Sequence, residues 1–156
     1  MTGIRFEPLR EEHIPAVLEI EQRSQSSPWS ERSFRNELDH PQGVFIVALS
    51  GERLLGFAGE WILADEAHIT TIAVHPDERR RGLGRDLMLE LLARGRALGA
   101  ECSTLEVRAG NDAAIKLYES LGYVRAGLRK NYYPDNKEDA LVMWLHRIPE
   151  AGGTEP

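Results

Sequence analysis

The spacing of apolar residues in the first 62 positions predicts a strand, two helices and a β-hairpin. Strands are indicated where apolar and polar residues alternate or where β-branched residues cluster, and helices where apolar residues recur every three or four positions. The predicted elements are a strand over 4–9, helices over 14–22 and 30–40, and strands over 43–49 and 54–62. The turn at Ser50-Gly51-Glu52 is short, so we expect the last two strands to be antiparallel.

A β-branched, apolar segment at 67–74 predicts a strand in the centre of a sheet, buried on both faces. It leads into an arginine- and glycine-rich segment at 79–84, where a helix begins at Leu83, and Gly99 would end that helix. The predicted apolar face of the helix comprises Leu87, Met88, Leu91, Leu92 and Leu98.

The last third of the chain predicts one more helix and three strands. The elements are strands over 104–108, 123–128 and 139–146 and a helix from Asn111 to Gly122. In the first of these strands Glu106 shares a face with Thr104 and Arg108, because side chains two positions apart point the same way. Seven strands and four helices predict an α/β (α+β) domain with a mixed central sheet. We expect a single domain over 1–148 and a disordered tail over 149–156.

Composition narrows the class of protein. A chain of 156 residues that is 42% hydrophobic can bury the core of one domain. The 25 acidic and 19 basic residues give a net charge of -6, which argues against direct contact with nucleic acid. The chain begins without a secretory signal and lacks an apolar run of about 18 residues, so we expect a cytoplasmic protein away from membranes. We also expect a monomer. One cysteine and five scattered histidines predict neither a disulfide nor a metal site.

The segment Arg79-Arg80-Arg81-Gly82-Leu83-Gly84 predicts a site for a phosphate or pyrophosphate. Glycines let backbone N–H groups turn toward one anion, and the helix that follows adds the positive end of its dipole. Arginine presents paired donors to phosphate oxygens. The nucleotide-triphosphate loop needs Lys and Ser or Thr after its last glycine, and the dinucleotide fingerprint needs a third glycine where Leu87 stands, so neither motif applies. A solvated arginine run at a helix start is the alternative interpretation.

Several separated motifs together resemble the GCN5-related N-acetyltransferase (GNAT) family, in its RimI-type branch of ribosomal-protein-alanine N-acetyltransferases. The loop 79–84 resembles that family's Arg/Gln-x-x-Gly-x-Gly/Ala motif for acetyl-coenzyme A. The other segments that carry the resemblance are 28–30, 71–74, 105–108, Asn111, 117–123, 131–134 and 138–140. The resemblance spans nearly the whole chain and implies the GNAT fold.

The resemblance also implies where acetyl-coenzyme A (acetyl-CoA) is held. Arg79, Arg80, Arg81, Gly82, Leu83 and Gly84 would hold the pyrophosphate, and backbone groups of Ile72, Ala73 and Val74 would line the pantetheine and acetyl group. Asn111 would hydrogen bond the coenzyme, although asparagine is also a preferred helix N-cap.

Two residues are implied as catalytic. Glu106 would be the general base, acting through water, and Tyr118 the general acid that protonates the departing sulfur. From the residues alone, Glu106 could instead pair with Arg108, and Tyr118 could be a core residue. His68 is a weaker candidate for the base, and Cys102 would need a histidine partner to act as a nucleophile. Trp29 could contact substrate or pack over the edge of the core.

The predicted reaction is transfer of the acetyl group to a protein α-amine, most simply the amino-terminal alanine of a small-subunit ribosomal protein, as the branch implies. Neutralising a lysine at pH 7 costs roughly 4 to 5 kcal/mol, whereas neutralising an α-amine costs about 1 kcal/mol. A carboxylate base is therefore better suited to an α-amine substrate. Two alternatives are open: transfer to lysine or a small amine, and a non-catalytic module that binds acetyl-CoA. Glu60, Asp65 and Glu66 could attract a cationic peptide or be ordinary surface charges.

Overall fold

The structure, a computed structural model, describes residues 3–79 and 81–150. Its strands are β1 (Ile4–Pro8), β2 (Gly43–Ser50), β3 (Arg53–Leu63), β4 (Glu66–Val74), β5 (Cys102–Arg108), β6 (Val124–Arg129) and β7 (Ala140–Leu145). Its α-helices are α1 (Ile14–Ser24), α2 (Glu31–Leu38), α3 (Leu83–Ala97) and α4 (Asp112–Ser120), with short 3-10 helices at Glu11–His13 and Pro76–Glu78. The seven strands and four helices predicted from the sequence are confirmed within the described ranges. Most of the expected tail over 149–156 lies outside those ranges.

The strands form one mixed sheet in the order β1-β2-β3-β4-β5-β7-β6. Only the central pair, β4 and β5, is parallel, and the other neighbours are antiparallel, including the predicted β2–β3 hairpin. A parallel pair needs a crossover connection, which α3 supplies. At one edge of the sheet β6 is exposed along its whole length.

Helices cover both faces of the sheet. On one face α1 and α2 bury Ile14, Val17, Ile20 and Phe34 against Phe45 and Phe57. On the other face α3 buries Leu83, Leu87 and Leu91 against Ile46, Ala48 and Ala58, and α4 adds Ile115 and Tyr118 beside Leu105 and Val107. The alternation of side chains along each strand therefore sends every second residue to a different helical layer.

The two central strands separate part-way along their length. They pair at three positions only, Glu66 with Cys102, Ala67 with Ser103 and His68 with Thr104. Beyond these positions β4 stays paired with β3, and β5 stays paired with β7, each to its end. A wedge-shaped cleft therefore opens between β4 and β5.

A β-bulge lies where this cleft begins. Gly59 of β3 pairs with Thr71, while Glu60 pairs with Ile69, so Thr70 is an extra residue in β4. Bulges bend a strand and increase its local twist, and this one turns β4 away from β5. The sequence prediction that β4 is buried on both faces was wrong for His68 to Ile72, which are only partly buried, because β4 has no paired neighbour on its β5 side there.

Two other expectations about burial were wrong. Leu98 was assigned to the apolar face of α3, but its side chain is 64% exposed. It follows Ala97, the last residue of the helix, so the helical period no longer directs it toward the sheet. Glu60 was treated as a surface charge, yet it is fully buried between the sheet and α3.

The Glu60 carboxyl is an unusual group in this core. Neither of its oxygens has a hydrogen-bond partner among the described residues. Gly95 of α3 lies directly over it, and a Cβ at that position would come within 2.8 Å of Glu60 Oε2. Burial raises the pKa of Glu60 to about 8, so the neutral acid is the form that the core accommodates at pH 7.

None of the helices in the described ranges combines the length and apolar composition that a membrane crossing requires.

Candidate active site

The cleft between β4 and β5 brings backbone and side-chain groups of both strands together. Ile72 and Val74 of β4 pack on the α3 side of the sheet, whereas Ala73 belongs to the layer of α1 and α2. Because β4 has left β5 at this point, the backbone N–H and C=O groups on that edge of 72–74 are available to a ligand. An extended ligand could therefore hydrogen bond to β4 as a neighbouring strand would.

The glycine-rich loop leads directly into α3 beside this cleft. Gly82 is the N-cap of the helix and has φ 81°, a left-handed conformation that favours glycine. No side chain among the described residues caps the helix, so the N–H groups of its first turn are free to bind an anion. Gly84 is not closely crowded by its neighbours, because a Cβ at this position would lie at the ordinary contact distances of 3.6 Å from Leu117 and 3.9 Å from Val74.

The arginines of this loop are not equivalent. The guanidinium of Arg79 donates to Ser24 Oγ at the end of α1, 3.1 Å away. Arg81 is 62% exposed in its side chain and lies 3.4 Å from the buried carboxylate of Glu78, which also pairs with Arg53 at 2.8 Å. Arg80 lies outside the described residues. Arg79 and Arg81 are both exposed, but Arg79 is directed toward α1 and Arg81 toward Glu78.

Leu105 and Val107 of β5 face α3 and α4, so Glu106 between them projects to the opposite side of the sheet. That side is the one covered by α1 and α2. One carboxylate oxygen accepts a hydrogen bond from the Tyr132 hydroxyl at 3.3 Å. The other forms an ion pair with Arg129 Nε at 2.8 Å. These contacts hold the carboxylate in place while a third of its side chain, 33%, stays exposed to solvent.

Tyr118 approaches from the opposite side of the sheet. It lies on α4, is only 6% exposed, and packs its ring 5.8 Å from that of Tyr123. Burial raises the pKa of Tyr118 to about 12, with the nearby Tyr133 as a smaller cause. Its hydroxyl therefore remains protonated over the whole working range of pH.

Comparison with known proteins places this geometry in context. The model of the Acetyltransferase (GNAT) family matches residues 14–123, which is more than half of the chain. The chain belongs to the GNAT acetyltransferase family. The GNAT fold that the sequence motifs implied is thereby confirmed.

Relatives of this GNAT chain include proteins of known name. It is 43% identical over 134 residues to the [ribosomal protein bS18]-alanine N-acetyltransferase of Escherichia coli strain K12, covering 85% of this chain and 90% of that protein. It is 41% identical over 138 residues to a putative enzyme of the same name from Bacillus subtilis, covering 88% and 91%. A crystal structure of the ribosomal-protein-S18-alanine N-acetyltransferase from Escherichia coli superposes with a TM-score of 0.86 and 38% identity, over 98% of this chain and 99% of that one. The RimI-type branch implied by the motifs is therefore confirmed.

The residues predicted for the GNAT site fall into two groups. Ile72 to Val74, the described residues of the loop (Arg79 and 81–84), Glu106 and Tyr118 lie on elements that border the cleft or its entrance. Asn111 is exposed and acts as the N-cap of α4, since its side chain accepts from the Ala114 N–H at 3.2 Å. The N-cap interpretation is confirmed, and the contact of Asn111 with coenzyme stays a prediction.

The predicted alternative partner of Glu106 was wrong. Arg108, on the same face of β5, pairs with Asp135 and Glu138 instead. The ion pair forms with Arg129 of β6, a residue that no motif or spacing in the sequence indicates. Tyr132 was also missed as a contact of Glu106, although it lies in the motif 131–134; a tyrosine pair in a polar turn was the available signal.

The structure also shows the surroundings of three further candidates, Trp29, Cys102 and His68. Trp29 packs over the edge of the core, 5.0 Å from the ring of Phe34, and its backbone N–H donates to Glu21. Cys102 lies four residues before Glu106, about 13 Å along the strand, where partial burial and the carboxylates of Asp65 and Glu66 raise the pKa of its thiol. That environment disfavours the nucleophilic thiolate. His68 forms a pair with Glu66 at 2.9 Å.

Proposed function

We propose that this protein transfers the acetyl group of acetyl-CoA to the amino-terminal alanine of a small-subunit ribosomal protein. The relatives at 41% and 43% identity carry the name of such an enzyme, acting on ribosomal protein bS18. The observation that carries the proposal is the placement of a carboxylate and a phenol on opposite faces of the sheet, beside a cleft that opens toward the uncapped start of α3.

The coenzyme would lie along β4. Its pyrophosphate would accept hydrogen bonds from the N–H groups at the start of α3, with the exposed guanidinium of Arg81 as the counter-charge. The backbone of 72–74 would hold the pantetheine as a strand is held. When bound there, the thioester supplies the activated acetyl group, and a backbone N–H near Val74 stabilises negative charge that develops on the carbonyl oxygen.

Glu106 takes the proton that the attacking amine loses, through a bridging water. An α-amine is a suitable substrate because its pKa is about 7.7 to 8.0, so roughly a tenth to a sixth of it is neutral at pH 7, far more than for a lysine with a pKa near 10.4. The ion pair with Arg129 at 2.8 Å holds the Glu106 carboxylate in position beside the cleft. The amine would thus reach the cleft from the side of α1 and α2.

Tyr118 meets the departing sulfur from the other side. Burial raises the pKa of Tyr118 from the ordinary tyrosine value of about 10 to about 12. A phenol this weakly acidic acts chiefly by donating a hydrogen bond to the sulfur, with full proton transfer only as the thiolate gains charge.

The proposal is tested by mass spectrometry of peptides incubated with the protein and acetyl-CoA. We expect one acetyl group on a peptide that begins with alanine and none on the same peptide with a blocked amino terminus. The matched peptide carries an internal lysine, so acetylation of lysine alone would contradict the proposal. Binding of acetyl-CoA without any transfer would support the non-catalytic module instead.

We predict that Tyr118→Phe lowers kcat by about tenfold to a hundredfold, at or below the low end of a general acid's usual contribution, because the hydroxyl acts chiefly by donating a hydrogen bond. The Michaelis constant for acetyl-CoA should stay within about twofold, because the ring and its packing are retained. Steady-state kinetics measure both constants.

Tyr123→Phe is the matched control for this variant. It removes another buried hydroxyl, one that forms a 2.6 Å hydrogen bond with Ser103. It should lower the free energy of unfolding by about 1 to 3 kcal/mol, because the buried Ser103 hydroxyl loses this partner, and leave kcat unchanged. Equal kcat values for wild type and Tyr118→Phe would remove Tyr118 from the mechanism.

A further inference from the structure

Two loops that are distant in sequence are joined beside Glu106. The loop between α1 and α2 contributes Ser26, whose hydroxyl donates to Asp135 Oδ2 at 2.7 Å, across 109 positions of the chain. Arg108, at the end of β5, donates to the same carboxylate oxygen at 3.0 Å and reaches Ser26 Oγ at 3.5 Å. We refer to Ser26, Arg108 and Asp135 as the loop clamp.

Arg108 is the centre of this cluster. Its guanidinium also contacts Glu138 Oε1 at 3.3 Å and lies 4.0 Å from the centre of the Tyr133 ring. The side chains of Arg108, Asp135 and Glu138 are each only 22 to 26% exposed, so their ion pairs are less screened by water than ordinary surface pairs. The hydrogen bond from Ser26 and the Arg108 guanidinium together lower the pKa of Asp135 to about 2.

The loop between β6 and β7 carries the groups that the clamp fixes. Tyr132 donates to Glu106, and the adjacent Tyr133 stacks under Arg108. Tyr133 lies close to both catalytic candidates, since it contributes to the raised pKa of Tyr118 and Glu106 contributes to the raised pKa of Tyr133. Movement of this loop would therefore disturb the surroundings of both catalytic candidates.

The clamp also lies on the route of the amine. Glu106 and Arg108 are two positions apart on β5 and share the face on the side of α1 and α2. A substrate amine approaching Glu106 from that side passes between the α1–α2 loop and the β6–β7 loop. These are the two loops that Ser26 and Asp135 join.

We propose that the loop clamp is a positioning device that sets the separation of these two loops and so the fit of a peptide amine acceptor beside Glu106. This inference rests on the proposed function, because it assumes that a peptide amine is the acceptor. Ser26, Arg108 and Asp135 act through the loops and not on the reacting atoms.

The test uses Ser26→Ala, Asp135→Asn and Arg108→Lys in the full chain, with an alanine-starting peptide and acetyl-CoA. We expect each variant to raise the Michaelis constant for the peptide by about fivefold to twentyfold while that for acetyl-CoA stays within about twofold. Lysine keeps the charge of Arg108 but cannot bind Asp135 and Glu138 with a planar fork, so Arg108→Lys should not retain the wild-type Michaelis constant for the peptide. The Ser26→Ala and Asp135→Asn effects should not add, because both remove one hydrogen bond.

Arg35→Gln is the control, since Arg35 forms only exposed pairs, with Glu31 and Glu11. Ser26 is exposed, so its variant tests the clamp even where Arg108→Lys impairs folding. Unchanged peptide constants in Ser26→Ala and Asp135→Asn, or equal rises for peptide and acetyl-CoA, would overturn the clamp. If the wild-type protein turns over no peptide, the proposed function fails and the clamp proposal fails with it.

Discussion

Glu106→Gln is expected to lower kcat by about a hundredfold to ten-thousandfold, the contribution typical of a positioned general base. The amide keeps the size of the side chain and can still accept the hydrogen bond from Tyr132, but it cannot take a proton from the amine. The Michaelis constant for acetyl-CoA should change little, because Glu106 lies on the amine side of the cleft. Steady-state kinetics with an alanine-starting peptide provide both values.

Glu119→Gln is the matched control for this variant. Glu119 also pairs with an arginine, Arg125, at 3.1 Å, but on the outside of α4. Both variants should unfold within about 1 kcal/mol of the wild type, as expected when an exposed ion pair is lost. A Glu106→Gln enzyme that keeps a third or more of the wild-type kcat would exclude Glu106 as the base.

Glu60→Gln is expected to stabilise the protein at neutral pH. The pKa of Glu60 is about 8 in the folded state, against about 4.3 in an unfolded chain. The stabilising contribution of the protonated form is complete below the unfolded pKa and is lost as the pH rises through the folded pKa. Glutamine is neutral in both states and carries no such loss, so at pH 7 the variant should gain about 3 to 4 kcal/mol.

The pH profile of unfolding distinguishes this effect from a change in packing. The difference in free energy of unfolding between Glu60→Gln and wild type should be near zero at about pH 4 and grow by about 1.4 kcal/mol per pH unit up to the folded pKa. Glu90→Gln, which removes a partly exposed pair with Arg94 on α3, should show little such trend. A difference that does not depend on pH would contradict the assignment of a neutral Glu60.

Much of the fold follows from local pattern. Periods of two and of 3.6 residues locate the strands and helices, since each element has to place apolar side chains against a neighbouring layer. The burial of Glu60 could not be predicted in this way. A charged residue in a strand is ordinarily assigned to a solvent-facing side, but this sheet is covered by helices on both faces, and that arrangement depends on contacts between distant segments.

The candidate site shows the same division. The period of two correctly separates Glu106 from Leu105 and Val107, and the helix start at Asn111 correctly gives an N-cap. The partner of Glu106 depends on strand order, because β7 lies between β5 and β6 and sets the register that brings Arg129 within reach. Nothing local distinguishes Arg129 from Arg108 as the partner, so sequence spacing favoured the nearer one.

The position of β6 gives Arg129 a second task. An outermost strand with a fully accessible backbone edge can pair with the same strand of another molecule, and charged side chains and bulges are the usual protection against such aggregation. In β6 this protection comes from Arg125, Arg129 and the irregular register near Ala126. Neutralising Arg129 would therefore weaken the protection of this edge against aggregation and also alter the surroundings of Glu106. The solubility of such a variant has to be compared with that of the wild type before a lower rate is attributed to the chemical step.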